Sequence, residues 1–165
     1  MSYDSLEQDQ LSRLISASRQ GDFIDKLVVI FTGYIGLRVQ EIRHLKASWI
    51  DFQRQEINMP AKDEDWPPDA VKARPRTIPY GDLDGKVKTD IEYYFRDHDD
   101  LDISKATIYN RIESLASEAD IRTKVTPKKL RHTAAKRWVE EGEDIMGLQE
   151  LMGYETLEAA KKFFE

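Results

Sequence analysis

The chain's 165 residues, 40% hydrophobic and 34% charged, suffice for one domain with its own core and rarely for two. With no cysteine, disulfides and thiolate metal sites are excluded, and three scattered histidines (His44, His98, His132) make a metal site a poor expectation. No apolar run approaches a membrane span, no signal peptide opens the polar N-terminus, and the net charge of −6 taken alone argues against a nucleic-acid partner, so a cytoplasmic globular protein is the starting expectation.

Residues 5–19 place Leu6, Leu11, Leu14 and Ile15 without Pro or Gly, which predicts an amphipathic helix that Gly21 and Asp22 break. "FIDKLVVIFTGYIG" (23–36) is apolar nearly all round and reads as a buried helix ended by Gly36. "LRVQEIRHLK" (37–46) is a short helix with Leu37, Ile42 and Leu45 inward. The period then changes: "SWIDF" (48–52) and "EINMP" (56–60), joined by Gln53, Arg54 and Gln55, read as a hairpin. Residues 61–75, with paired prolines and no periodicity, are a loop, and "RTIPY" (76–80) is a third strand that stops at Pro79. Helices come next over 82–97, with Ile91, Tyr94 and Phe95 for packing, and over 104–119, with Ser104 as N-cap. "TPKKLRHTAAKRWVEEG" opens with Thr126 as N-cap and Pro127 at the first helical position, and Gly142 ends it. "EDIMGLQELMG" (143–153) and "ETLEAAKKFFE" (155–165) are the last two helices. The expected fold is α+β and mainly α: a helical domain over residues 1–165 with a small three-stranded antiparallel sheet and no internal repeat.

Charge is unevenly spread. Ile121 to Trp138, "IRTKVTPKKLRHTAAKRW", holds seven Lys/Arg and no Asp/Glu, and "VKARPR" adds Lys72, Arg74 and Arg76. Acids collect in "DEDW", "DHDDLD" and "EEGED". A basic strip on an acidic body is compatible with DNA binding; a solvated helix face is the plainer alternative.

Two stretches are able to carry chemistry. In "TPKKLRH" the helix N-terminus attracts anions, and Lys128 and Arg131, three residues apart, share a face there. Lysines in a first turn oppose the dipole and cost some stability, so the pair reads either as a phosphate cradle or as an exposed basic helix start. In "GLRVQEI", Arg38 comes after a buried helix and a glycine, and Glu41, three residues on, is placed to fix its guanidinium. A buried arginine held by a carboxylate is costly unless it has a task, and arginine suits bidentate phosphate contact. A surface ion pair is the alternative.

Taken together, these pieces resemble the catalytic domain of the tyrosine recombinases, the phage integrase family, from about residue 5 to the end. "TGYIGLRVQEIRHL" looks like the family's first box, usually TGLR-x-x-E-x-x-x-L. "RTIPY" looks like the strand after its lysine hairpin, and "TPKKLRHTAAKRWVEEGEDIMGLQELMGYE" looks like the second box, H-x-L-R-H-T with a helix and L-G-H after it. The resemblance implies an enzyme that binds double-stranded DNA and needs no metal or other cofactor. A tyrosine hydroxyl cuts one strand, forms a 3′-phosphotyrosyl link and rejoins the strand to a different 5′-hydroxyl. Two arginines hold the scissile phosphate and neutralise the charge of the transition state, and a hairpin lysine protonates the leaving oxygen. Carried onto this sequence, the arginines are Arg38 and Arg131, Glu41 supports the first, and the lysine is Lys72, with Lys62 the alternative because the loop is long. Arg74, Arg76, Lys124, Lys129 and His132 are expected to contact DNA.

Three positions depart from the family's pattern. Lys128 replaces the first histidine of H-x-x-R, a variant that still donates to a phosphate oxygen. Tyr154 replaces the histidine of L-G-H, where the family tolerates tryptophan; it either contacts phosphate or packs on the helix start. Phe163 stands nine residues after Tyr154, where the nucleophilic tyrosine belongs, and slipping by one reaches Phe164. Neither ring has an ionisable oxygen to attack phosphorus. The expectation is a recombinase catalytic domain that binds DNA with cleavage disabled. A non-catalytic DNA-binding regulator on the same fold is the alternative, and a protein-interaction domain a remote third. No stretch matches the family's N-terminal DNA-clamping domain or its tail helix, so DNA binding is expected to be weak and mostly through phosphates. A monomer alone, oligomerising on DNA and nucleoid-associated in a prokaryotic or archaeal cell, completes the reading.

Overall fold

A computed structural model of the chain describes residues 4–61, 66 and 74–165. Helix α1 (Gln8–Ser18) starts where Glu7 donates its backbone N–H to the Gln10 side chain at 2.9 Å, and it buries Leu11 and Leu14. Leu6 precedes the helix and donates its N–H to Thr133 Oγ1 at 2.9 Å, tying the start of the chain to a distant helix.

The apolar run predicted as one helix holds two conformations. Helix α2 (Phe23–Val29) passes into a π-helical turn, Ile30–Ile35, that Gly36 closes in the left-handed region with φ 91°. The N–H groups of Gly36 and Leu37 both donate to the Phe31 carbonyl, at 3.0 and 2.7 Å. A π turn fits one extra residue into a helix and so re-aims the chain beyond it. The residue re-aimed here is Arg38, which caps helix α3 (Val39–His44) in extended conformation.

Strands β1 (Ile50–Asp51), β2 (Glu56–Met59) and β3 (Arg76–Pro79) form an antiparallel sheet in that order. β1 is shorter than the sequence suggests because Ala47–Trp49 coil into a 3₁₀ turn. Asp51 Oδ1 accepts from the N–H groups of Gln53 and Arg54 (3.0 and 2.9 Å), which sets the hairpin turn. Ile57 pairs with Ile78 and Met59 with Arg76, so strand alternation puts Arg76 on the buried face beside Ile78.

The C-terminal half is helical: α4 (Gly85–Asp97), α5 (Lys105–Glu118), α6 (Pro127–Glu140), α7 (Ile145–Met152) and α8 (Leu157–Lys161), with a 3₁₀ turn over Lys162–Phe164. Asp84, Ser104, Thr126, Asp144 and Thr156 cap the five helices through their side chains. α6 packs along the π turn and α7 against β3, which brings the two halves of the chain together at one place. The fold is mainly α with a small antiparallel sheet. Among the described residues no helix is long and apolar enough to cross a membrane.

Candidate functional site

Three arginines from separate parts of the chain meet at the C-terminal end of α7. Arg38 donates through Nη1 to the Met152 carbonyl (3.2 Å) and through Nη2 to the Gly153 carbonyl (3.0 Å). Arg131, on the second turn of α6, donates through Nε to the Gly36 carbonyl (2.9 Å) and through Nη2 to the Met152 carbonyl. Arg76 donates through Nε to the Leu151 carbonyl (2.9 Å). The last carbonyls of a helix have no partner within it and carry the negative end of its dipole. Three consecutive carbonyls therefore orient three guanidinium groups.

One buried carboxylate joins them. Glu41 accepts from Arg76 Nη1 (2.6 Å) and Nη2 (2.9 Å) and from the Arg38 backbone N–H (2.8 Å), while the Arg38 guanidinium lies 3.9 Å away. The side chains of Glu41 and Arg76 are 0% and 1% exposed, against 17% for Arg38. Three guanidinium groups against one carboxylate leave two positive charges in excess. Burial brings Arg131 down to about 10, with the neighbouring Arg38 adding to the effect. Burial likewise lowers Arg38, against the pull of Glu41 and with help from Arg76.

Burial alone pushes the Glu41 carboxyl up. The charge and hydrogen bonds of Arg76, then Arg38 and Arg131, outweigh it and hold the group below its ordinary 4.5. A carboxyl whose folded value is depressed adds stability that is fully present above the unfolded value and disappears as pH falls through the folded one. Glu41→Gln is therefore expected to flatten the acid limb of the stability curve below about pH 4.5, read by urea unfolding from neutral pH downward. Parallel acid limbs for the two proteins would show that Glu41 does not titrate this way.

Beside the arginines runs a column of rings. Arg131 Cζ lies 5.3 Å from the centroid of the Tyr154 ring. Tyr154 stacks on Phe163 (6.1 Å, 14°), and His132 meets Phe163 at its edge (5.6 Å, 68°). His132 Nδ1 lies 3.3 Å from the Asp4 carbonyl. Phe163 is thus held one ring away from Arg131 by the turn after α8, whereas Phe164 is exposed.

The remaining basic residues divide by placement. Lys124 and Lys128 are exposed at the start of α6, and half-buried Arg74 pairs with Glu155 at 3.5 Å. Lys129 is buried, with Nζ 3.2 Å from Asp4 Oδ1 and 3.3 Å from the Lys124 carbonyl. Arg76, expected among the DNA contacts, is enclosed by protein. Lys72 and Lys62, the two candidates for the hairpin lysine, lie outside the described residues. Sequence reasoning missed the backbone acceptors at Gly36 and 151–153, which no side-chain pattern announces. It also missed the Arg76–Glu41 pair: the spacing of Arg76 and Ile78 on one strand face signals that Arg76 turns inward, but not which carboxylate meets it.

The phage integrase family model matches residues 4–164. The tyrosine recombinase XerA of Pyrococcus furiosus is 28% identical over 167 residues, covering 93% of this chain and 54% of the relative. The crystal structure of XerA recombinase superimposes with a TM-score of 0.79 at 25% identity, over 100% of this chain and 61% of that one. The Tn1549 transposon integrase in complex with transposon right end DNA has the same fold (TM-score 0.70, 18% identity, 98% of this chain and 61% of that one). The chain spans about half the length of the curated relatives it matches.

Proposed function

The chain belongs to the phage integrase family, and from that premise we propose that it is a tyrosine-recombinase catalytic domain that grips a DNA phosphate between Arg38 and Arg131 but lacks the oxygen that would attack it. The observation that carries this reading is the excess of guanidinium over carboxylate at the end of α7. Two like charges packed together and partly dehydrated are relieved by an anion shared between them, and phosphate matches the guanidinium fork. DNA as the source of that phosphate is supported by the related recombinases and by the transposon integrase solved on DNA.

In this reading Arg38 and Arg131 donate to the non-bridging oxygens and neutralise charge that grows on them in the transition state. Lys128, exposed on the first turn of α6, adds a further donor. The hairpin lysine, Lys72 or Lys62, protonates the leaving 5′ oxygen. Tyr154 packs on Arg131 and limits its movement, and Phe163 fills the place of the nucleophile. Exposed Lys124 and half-buried Arg74 add phosphate contacts along the rim, with the protein a monomer in solution and further copies meeting on DNA. A non-cutting accessory role on the same fold is favoured by one observation, the missing oxygen on Phe163.

Arg131→Gln is expected to weaken binding by about tenfold on unrelated duplexes alike and to lower the salt slope by about 0.9, measured by fluorescence anisotropy. A wild-type chain that ignores DNA at low salt, or an Arg131→Gln variant with unchanged affinity and slope, would remove the phosphate cradle.

A further inference from the structure

We propose that Arg76 is a positioning residue: it occupies Glu41 so that the charge of Arg38 stays available to phosphate. The inference rests on the phosphate-cradle reading of Arg38 and Arg131. Arg76 has no face left for a ligand. Its Nε is taken by the Leu151 carbonyl, Nη1 by Glu41 Oε2 and the Arg74 carbonyl (3.0 Å), and Nη2 by Glu41 Oε1. Gly153 lies flat against the guanidinium, so close that an added Cβ would sit 2.7 Å from Nη1 and 2.8 Å from Cζ.

Glu41, fully buried, keeps its charge only with a cationic partner. Without Arg76, the cation within reach is the Arg38 guanidinium, already 3.9 Å away on a residue whose backbone N–H the same carboxylate holds. A closed Glu41–Arg38 pair would neutralise one of the two groups that meet phosphate. Arg76 turns that rival anion into a clip, leaving Glu41 to fix Arg38 by its backbone while the guanidinium stays charged. It also ties β3 to α3 and α7.

The test compares Arg76→Gln, Glu41→Gln and the double variant in the whole chain for duplex affinity and salt slope. Arg76→Gln is expected to weaken binding about tenfold, because Glu41 recaptures Arg38. Adding Glu41→Gln is expected to restore affinity to within about threefold of wild type, because a neutral, hydrogen-bonded amide pair replaces a buried ion pair with little net loss. The double variant should keep the wild-type salt slope. A double variant as weak as Arg76→Gln, or with a slope lower by about 0.9, would mean that Arg76 meets phosphate itself and would overturn the proposal. Should Arg76→Gln fail to fold, the double variant, which removes both charges of the fully buried pair together, decides against wild type by the same two readings. Binding that is sensitive to Arg131→Gln but indifferent to Arg76→Gln overturns this inference alone. Wild-type protein that does not bind overturns it together with the cradle.

Discussion

Phe163→Tyr is expected to turn a chain that forms no covalent adduct on a nicked suicide duplex into one that does. The surroundings favour it: the ring is already stacked on Tyr154, edged by His132 and one ring from Arg131. A hydroxyl added there comes with no change of backbone. Since Phe163 is half-buried, the substitution should alter stability by less than about 0.5 kcal/mol. The proposed step balances: the phenol gives up its proton to solvent, its oxygen bonds to phosphorus, the bond to the 5′ oxygen breaks, and that oxygen takes a proton from the proposed hairpin lysine. Two companions make the result specific. Phe164→Tyr, on the exposed neighbour outside the ring column, should give no adduct. Arg131→Gln in the Phe163→Tyr background should abolish the adduct again, since the cradle supplies the charge stabilisation. An adduct on the unmodified chain would refute the claim that cleavage is disabled. Phe163→Tyr that binds DNA normally and never cleaves would favour the accessory reading.

Parts of this site are legible in the sequence because they are local. Thr126, Pro127 and the basic first turn mark the start of α6, and Arg131 comes next by helical spacing; Glu41 three residues after Arg38 marks the second element. The π turn is not legible. A fourteen-residue stretch that is apolar nearly all round has the same composition whether the helix is regular or widened, and periodicity cannot separate the two. Lys129 reads as a surface cation because its burial depends on Asp4, which is remote in sequence and held against α6 through Leu6 and Thr133. Arg76 is readable in part: strand alternation from Ile78 turns it inward, but a basic run invites a surface reading. The partner that makes its burial tolerable, Glu41, belongs to another element, and only the folded chain brings them together.

Gly153→Ala should carry the largest stability loss among alanine substitutions of the left-handed glycines Gly36, Gly142 and Gly153. Two independent terms act on it. Gly153 ends α7 in the left-handed region with φ 66°, where an L side chain costs about 1–2 kcal/mol. The added Cβ would also meet Arg76 at 2.7, 2.8 and 3.0 Å, and those atoms are not the loose end of a flexible side chain. They are pinned by Leu151, Glu41 and Arg74, so relief requires breaking the buried pair or moving the end of α7. Overpacking of that kind costs a further ~1–3 kcal/mol, and the sum is about 3 kcal/mol by urea unfolding. Gly36→Ala should be milder: its φ of 91° is also left-handed, but two of the three atoms its Cβ would crowd belong to the end of the Met152 side chain, which can turn aside. Gly142→Ala isolates the backbone term, since its φ is 106° and nothing lies within 4 Å of the new carbon; about 1–2 kcal/mol is expected. The excess of Gly153→Ala over Gly142→Ala therefore measures how tightly Gly153 seals Arg76. Because Arg38 and Arg131 hang on the neighbouring carbonyls of Met152 and Gly153, that excess should be accompanied by weaker DNA binding, whereas Gly142→Ala should leave binding intact. Equal losses at the two glycines would open the face of Arg76 that the seal closes, and would return it to the groups able to touch phosphate.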